Sequence, residues 1–262
     1  MTGLHDPSHP LPPESAQLWE ANAQWWQDAF TGGADPEYEE QIIPLLVQQL
    51  RLSEPARVLD IGCGEGQLGR AVLAEGAAGY VAGLDPTWSQ LEVATHRQIS
   101  GKAVGLVRAE AAAVPFPDQY FDAAFACLVF EHIEEAREAL AEVGRVLRPG
   151  GAFLLFLNHP LLQAPGSGWV DDQILGEQYW RIGPYLVEHH SVEEVAKNVW
   201  IPFIHRPLSF YVNALASAGL YVTAMLEPAP PDGFLQKAEE YQEAAAFPRL
   251  VMLRAEKLER AG

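Results

Sequence analysis

The run VLDIGCGEGQLGR at residues 58–70 constrains the fold more than any other part of the chain. Apolar residues that read as a buried strand give way to Gly62, Gly64 and Gly66, and a helical period follows at once. Glycine adopts positive φ without a Cβ penalty, so the backbone turns tightly and the next helix points its N-terminus at whatever lies beyond the strand. That junction belongs to a parallel sheet with right-handed helical crossovers, in which ligands bind at the carboxyl ends of the strands.

The surrounding pattern repeats the unit. Apolar runs predict strands over 57–61, 80–84, 103–107, 121–129 and 152–158, with helices over 67–74, 87–98 and 134–147. Arg148-Pro149-Gly150-Gly151 stops the last of these helices. Further on, 209–218 and 234–246 read as helices, and 220–226 and 249–254 as strands. Ahead of the first strand, residues 1–13 read as a Pro-rich flexible tail. Ser15 then caps a helix carrying Leu18, Trp19, Trp25, Trp26 and Phe30, and a second helix runs from Asp35-Pro36 to about residue 52, kinked or split by Pro44. Residues 159–205 break the rhythm, with a clean period only around 192–199. A long excursion at the end of a strand predicts a substrate cap.

Charge and cysteine usage narrow the function classes. The 262 residues are 48% hydrophobic, enough for one sizeable core and no second full domain. Acidic residues outnumber basic ones 35 to 17, a formal net charge of -18, and no Lys or Arg run offers a nucleic-acid footprint. Cys63 and Cys127 both lie in or beside strand-like runs and read as reduced core thiols. No signal-peptide pattern or apolar run of membrane-spanning length is present, so the expected location is cytoplasmic, without a membrane span.

Two glycine patterns overlap in the opening run. Gly64, Gly66 and Gly69 spell the dinucleotide fingerprint, whereas Asp60, Gly62, Gly64 and Gly66 spell a pattern associated with S-adenosylmethionine. Asp85, 21 residues beyond Gly64, suits the ribose hydroxyls of either cofactor. Asp60 separates them, because a carboxylate there favours a cationic methionyl portion and repels a diphosphate.

With VLDIGCGEG at 58–66, GLDPT at 83–87, RAEAAAVPFPDQYFDAAFACLVFEHI at 108–133 and EVGRVLRPGGAFLLF at 142–156, the chain resembles the class I S-adenosylmethionine-dependent methyltransferases. It is similar in particular to bacterial small-molecule enzymes such as those of quinone biosynthesis. The resemblance implies an α/β, Rossmann-like, seven-stranded, mostly parallel sheet with helices on both faces and an antiparallel last strand. It implies one domain over 14–262: a helical flap at 14–53, a cofactor-binding half at 54–158, a substrate cap at 159–205 and a completing segment at 206–262. It also implies that S-adenosylmethionine is bound by Asp60, Gly62, Cys63, Gly64, Gly66, Asp85 and Pro86, with Glu110 and Ala111 near the adenine. The carbonyl of Leu128 would lie near the sulfonium.

The acceptor is expected to be a small apolar or aromatic molecule, methylated on oxygen before nitrogen before carbon. His132, His159 and His190 are the candidate bases for an acceptor that must lose a proton. Trp26, Trp169, Tyr179, Trp180 and Tyr185 are candidate walls of an apolar acceptor pocket. His189 and His190 are adjacent and point apart, and no i, i+4 pair supplies a helical platform for a cluster with His205 and Glu188, so no metal site is expected. The rival readings are a non-catalytic S-adenosylmethionine-binding regulator, an NAD-dependent oxidoreductase without an evident hydride-transfer site, and an enzyme acting on protein or RNA without an evident docking surface. The sequence leaves the oligomeric state open.

Overall fold

A computed structural model describes residues 15–32, 34–50, 56–98, 103–237 and 244–258. The expected tail at 1–13 and the middle of the helix expected at 234–246 lie outside the described residues. Helix α1 (Ser15–Phe30) comes first, then a π-helical turn (Tyr38–Ile42) that runs directly into α2 (Ile43–Leu50). Ile43 N–H donates to Tyr38 O, a π-type bond one residue before Pro44. Proline has no N–H for an α-type bond, so the expected break takes the form of a widened turn.

The alternating units follow: β1 (Arg57–Ile61), α3 (Gln67–Ala74), β2 (Tyr80–Asp85), α4 (Trp88–His96), β3 (Gly105–Arg108), β4 (Phe121–Cys127), α5 (Ala136–Val146) and β5 (Leu147–Asn158). β5 starts earlier than expected. Phe121 pairs with Leu147 and Ala123 with Ala152, so Arg148 to Gly151 form an irregularity within the strand and not a loop before it.

The excursion at 159–205 is more regular than its composition suggested. It holds α6 (Pro160–Gln163) and two antiparallel hairpins, β6 (Gly168–Asp172) with β7 (Glu177–Arg181) and β8 (His189–Ala196) with β9 (Val199–His205). Gly176 (φ 69) and Asn198 (φ 62) supply the left-handed residues that close the two turns. α7 (Leu208–Ser217), β10 (Leu220–Leu226), α8 (Asp232–Lys237), a 3-10 turn (Ala244–Ala246) and β11 (Leu250–Lys257) complete the chain.

One seven-stranded sheet has the order β10-β11-β5-β4-β1-β2-β3, with β11 antiparallel to both neighbours. Side-chain alternation divides the core between its faces. Leu59, Ala124 and Phe153 pack with α5 and α7, whereas Val58, Phe125 and Leu154 pack with the π turn, α2 and α3. The carboxyl ends of β4, β1 and β2 therefore open side by side at one edge of a rigid core. Among the described residues no helix is long and apolar enough to cross a membrane.

Candidate active site

A cavity of about 700 Å³ lies at those carboxyl ends. Its β1 wall is the glycine loop. Gly62 (φ 66) cannot carry a side chain, because an added Cβ would stand 2.5 Å from a Val129 methyl. Gly64 (φ 51) has nothing within 4 Å of such a Cβ, so its backbone borders open space. Gly66 (φ 80) is the N-cap residue of α3 and is not on the lining.

Carboxylates dominate the wall. Asp60 is 2% exposed, and its Oδ2 has no hydrogen-bond partner among the described residues. Burial, reinforced by the charge of Asp85, pushes its pKa well above the usual carboxylate range. Asp85 accepts from Gly64 N–H at 2.9 Å and Thr87 N–H at 2.8 Å. Burial raises its pKa, and those amides oppose the rise. Glu65 is paired with Arg70 at 2.7 Å and Arg97 at 3.3 Å. Glu110, Glu134 and Glu135 are exposed lining residues, and burial together with Asp85 and Glu135 raises the pKa of Glu110.

The β4 side of the cavity is aromatic. Leu128 holds a left-handed backbone (φ 55), which costs a non-glycine residue about 1–2 kcal/mol and marks the turn out of β4 as a constrained point. His132 follows, with Nδ1 2.6 Å from Pro202 O. A carbonyl only accepts, so Nδ1 carries the proton and Nε2 is the unprotonated nitrogen. Burial pushes the His132 pKa down to about 4, against the opposing effect of that carbonyl. Its ring meets Trp19 at 4.9 Å and Phe203 at 4.8 Å. Trp19 in turn meets Trp26 at 5.3 Å. Tyr38, buried and hydrogen-bonded to the Cys127 thiol, adds to the wall.

α1 lies across the site and is tied to it by side chains. Glu20 accepts from Trp88 N–H at 2.8 Å and Ser89 N–H at 3.0 Å, and from the Ser89 hydroxyl. Gln27 donates to Gln90, and Gln67 accepts from Gly32 N–H.

The cavity thus brings together Asp60, Gly62, Cys63, Gly64, Asp85, Pro86, Glu110, Ala111, Leu128, His132 and Trp26. Other expected positions lie elsewhere. His159 caps α6: its Nδ1 accepts from Leu161 N–H, and its Nε2 stands 2.7 Å from Glu227. His190 is exposed, 3.2 Å from Glu188. Trp169 and Trp180 stack edge to face at 5.6 Å, and each also meets Phe247. Tyr179 is 46% exposed, and the Tyr185 hydroxyl accepts from Leu208 N–H. None of these four aromatics is on the described lining of the cavity, and Trp169 and Trp180 pack with each other and with Phe247.

A sequence model of the Methyltransferase domain matches residues 59–155. The O-methyltransferase cnsE of Penicillium expansum is 32% identical over 180 residues, covering 61% of this chain and 64% of that protein. The O-methyltransferase rstn1 of Aspergillus nomiae is 32% identical over 163 residues, covering 53% of this chain and 72% of that one. A crystal structure of an S-adenosylmethionine-dependent methyltransferase from Mesorhizobium loti superposes with TM-score 0.69 at 27% identity, over 83% of this chain and 99% of that one. The chain belongs to the class I S-adenosylmethionine-dependent methyltransferases.

This methyltransferase takes S-adenosylmethionine as its cofactor, and the residues present fit that group. Asp60, Glu65, Asp85, Glu110, Glu134 and Glu135 line the cavity, and no Lys or Arg is among its described lining residues. A sulfonium beside an amino group is stabilised there, whereas a pyrophosphate would face uncompensated repulsion. The unpartnered Asp60 oxygen and the open side of Gly64 offer an acceptor and room for the ligand. The chain spans between 54% and 64% of the length of three curated relatives that it matches.

Tyr38, Trp19 and Glu20 were not read from the sequence as parts of the site. Trp19 was read only as one of the apolar residues of the first helix, and Tyr38 had one signal, its position ahead of Pro44 in a helix that had to be interrupted.

Proposed function

We propose that this methyltransferase moves the methyl group of S-adenosylmethionine to a small, uncharged, apolar or aromatic acceptor, on oxygen in preference to nitrogen or carbon. The observation that carries this reading is the make-up of the cavity, with Asp60, Glu65 and Asp85 at the glycine loop and the end of β2 and an aromatic wall of Trp19, Trp26 and Tyr38 beside His132. Glu65 is neutralised by Arg70 and Arg97, but an anionic acceptor would still meet Asp85, Glu110, Glu134 and Glu135 with no Lys or Arg on the described lining. The names of two relatives, both O-methyltransferases, support oxygen.

S-adenosylmethionine supplies an electrophilic methyl group whose leaving sulfur becomes neutral. In this reading Asp60 and the glycine loop hold the methionyl end, Asp85 the ribose, and Glu110 with Ala111 the adenine, while the Leu128 carbonyl faces the sulfonium. Trp19, Trp26 and Tyr38 exclude water and hold the acceptor, so alignment supplies much of the rate. His132, neutral with its lone pair on Nε2, accepts a hydrogen bond from an acceptor hydroxyl and orients it. Because its pKa sits far below neutrality, it is a weak base that works best on an acidic hydroxyl.

Incubation with methyl-labelled S-adenosylmethionine and a panel of phenols, carboxylic acids, amines and inorganic phosphate esters tests this. Label in a neutral phenol or other hydroxyl compound is the expected result. Tight binding of S-adenosylhomocysteine with no transfer to any class would replace the enzyme reading with that of a non-catalytic binder.

A further inference from the structure

Strand β9 and the residue just after it run beside the loop that joins β4 to α5, and they engage every residue of that loop from 130 to 134. Ile204 N–H donates to Glu131 O at 2.7 Å, and Pro202 O accepts from His132 Nδ1. Arg206 supplies the rest. Its Nη1 donates to Phe130 O at 3.3 Å and Ile133 O at 2.9 Å, and its Nη2 donates to Glu134 O at 2.9 Å. The guanidinium is 2% exposed, lies 4.9 Å over the Phe210 ring, and has Glu188 3.4 Å from its Nε.

Burying an arginine is unfavourable unless its donors and its charge find partners. Here three of those partners are carbonyls of one short loop, three of whose residues, His132, Ile133 and Glu134, line the main cavity. A planar fork with fixed donor directions sets those carbonyls relative to one another, which the single rotating ammonium of lysine does not. The same loop must be held still for His132 to meet Pro202 O, because that bond joins two separate segments of chain. The end of the expected substrate cap and the residue just after it thus act on the site through backbone, the Phe203 ring against His132 and one buried cation.

We propose that Arg206 is a positioning residue for the acceptor side: it fixes the 130–134 loop in the conformation in which Pro202 O selects the Nδ1–H tautomer of His132. Its importance for turnover rests on the reading of His132 as an acceptor contact. The tautomer claim does not.

The test uses the full chain labelled with ¹⁵N-histidine, in which long-range ¹H–¹⁵N spectra distinguish the two imidazole tautomers. Wild type is expected to show His132 as Nδ1–H. In Arg206→Ala the population shifts toward the Nε2–H form that free imidazole favours, and millimolar guanidinium restores the original pattern. Arg206→Lys, which keeps charge and stem, shows a mixture and decides the matter should the Ala variant not fold. Titration with S-adenosylhomocysteine is expected to give the wild-type affinity for each folded variant. Retention of the pure Nδ1–H form in a folded variant would overturn the proposal, as would a loss of S-adenosylhomocysteine binding equal to the loss of the tautomer. If His132 responds as expected while wild type methylates nothing, the functional reading falls and the positioning role stands.

Discussion

The two sides of the cavity are built by different means. On the side of β1 and β2, the ligand-facing groups are main-chain turns and carboxylates contributed by neighbouring strands, with glycines at positive φ setting the path. On the side of β4, the groups are aromatic rings brought in from α1 and from the π turn, with Phe203 of β9 packed against His132, segments far apart in the chain. The first side is local. The second is assembled from tertiary contacts.

The contrast would break first at Gly62. Gly62→Ala combines a left-handed backbone with contact against Val129, and it is expected to lose roughly 2–5 kcal/mol of stability in denaturant unfolding. Gly64→Ala shares the backbone strain but has open space, so about 1–2 kcal/mol is expected there. Equal effects at the two positions would show that contact with β4 is not what tightens this side.

Next in size is the pH dependence of the seam behind His132. Burial raises the Glu131 pKa from 4.5 to about 7, even though its Oε1 accepts from both Asn158 nitrogens. An acid whose pKa rises on folding holds more protons in the native than in the unfolded chain. Its contribution is complete below pH 4.5 and is lost as pH rises through about 7. Glu131→Gln should therefore flatten the alkaline decline, by about 3 kcal/mol at most, in thermal unfolding followed from pH 5 to 8. His132 works from the other limb. Its lowered pKa makes the native state favour the neutral ring, so its contribution is present above 6.5 and lost as pH falls toward about 4. His132→Gln is expected to flatten the acid limb over that window and leave the alkaline limb alone.

A smaller effect separates the sides directly. Asp85→Asn is expected to weaken S-adenosylhomocysteine binding by about 1.5–3 kcal/mol, roughly 10-fold to 150-fold in Kd by calorimetry. Trp180→Ala, in the hairpin away from the cavity, should leave that Kd unchanged and alter stability only. A shift in Kd from the hairpin change would mean that the two sides are coupled through β6 and β7.

Legibility in the sequence followed the same line. Strand 57–61 and helix 67–74 agree with the structure to the residue, because a glycine junction is a local signal with one geometric solution. The seven-stranded sheet and the antiparallel β11 also follow from the resemblance. Residues 159–205 were not legible as hairpins, since their turns depend on Gly176 and on Asn198 within charged and aromatic sequence that lacks a clean alternation. Pro202 lies within β9, where a strand of a two-stranded ribbon tolerates it, and its carbonyl is what engages His132. The aromatic residues of that segment could not be assigned to cavity or packing by type alone, because both environments favour the same rings.

The hold that Glu20 keeps on α4 carries a kinetic consequence. The first turn of α4 has its Trp88 and Ser89 amides satisfied by a side chain from another helix, and Thr87 makes no side-chain cap of its own. Any motion that lifts α1 strands two helix-end donors and an acidic group at the same moment. Release of α1 at this end therefore means exchanging those bonds for bonds to water. The dwell time of a bound nucleoside would be written into residue 20, far from any atom that reacts.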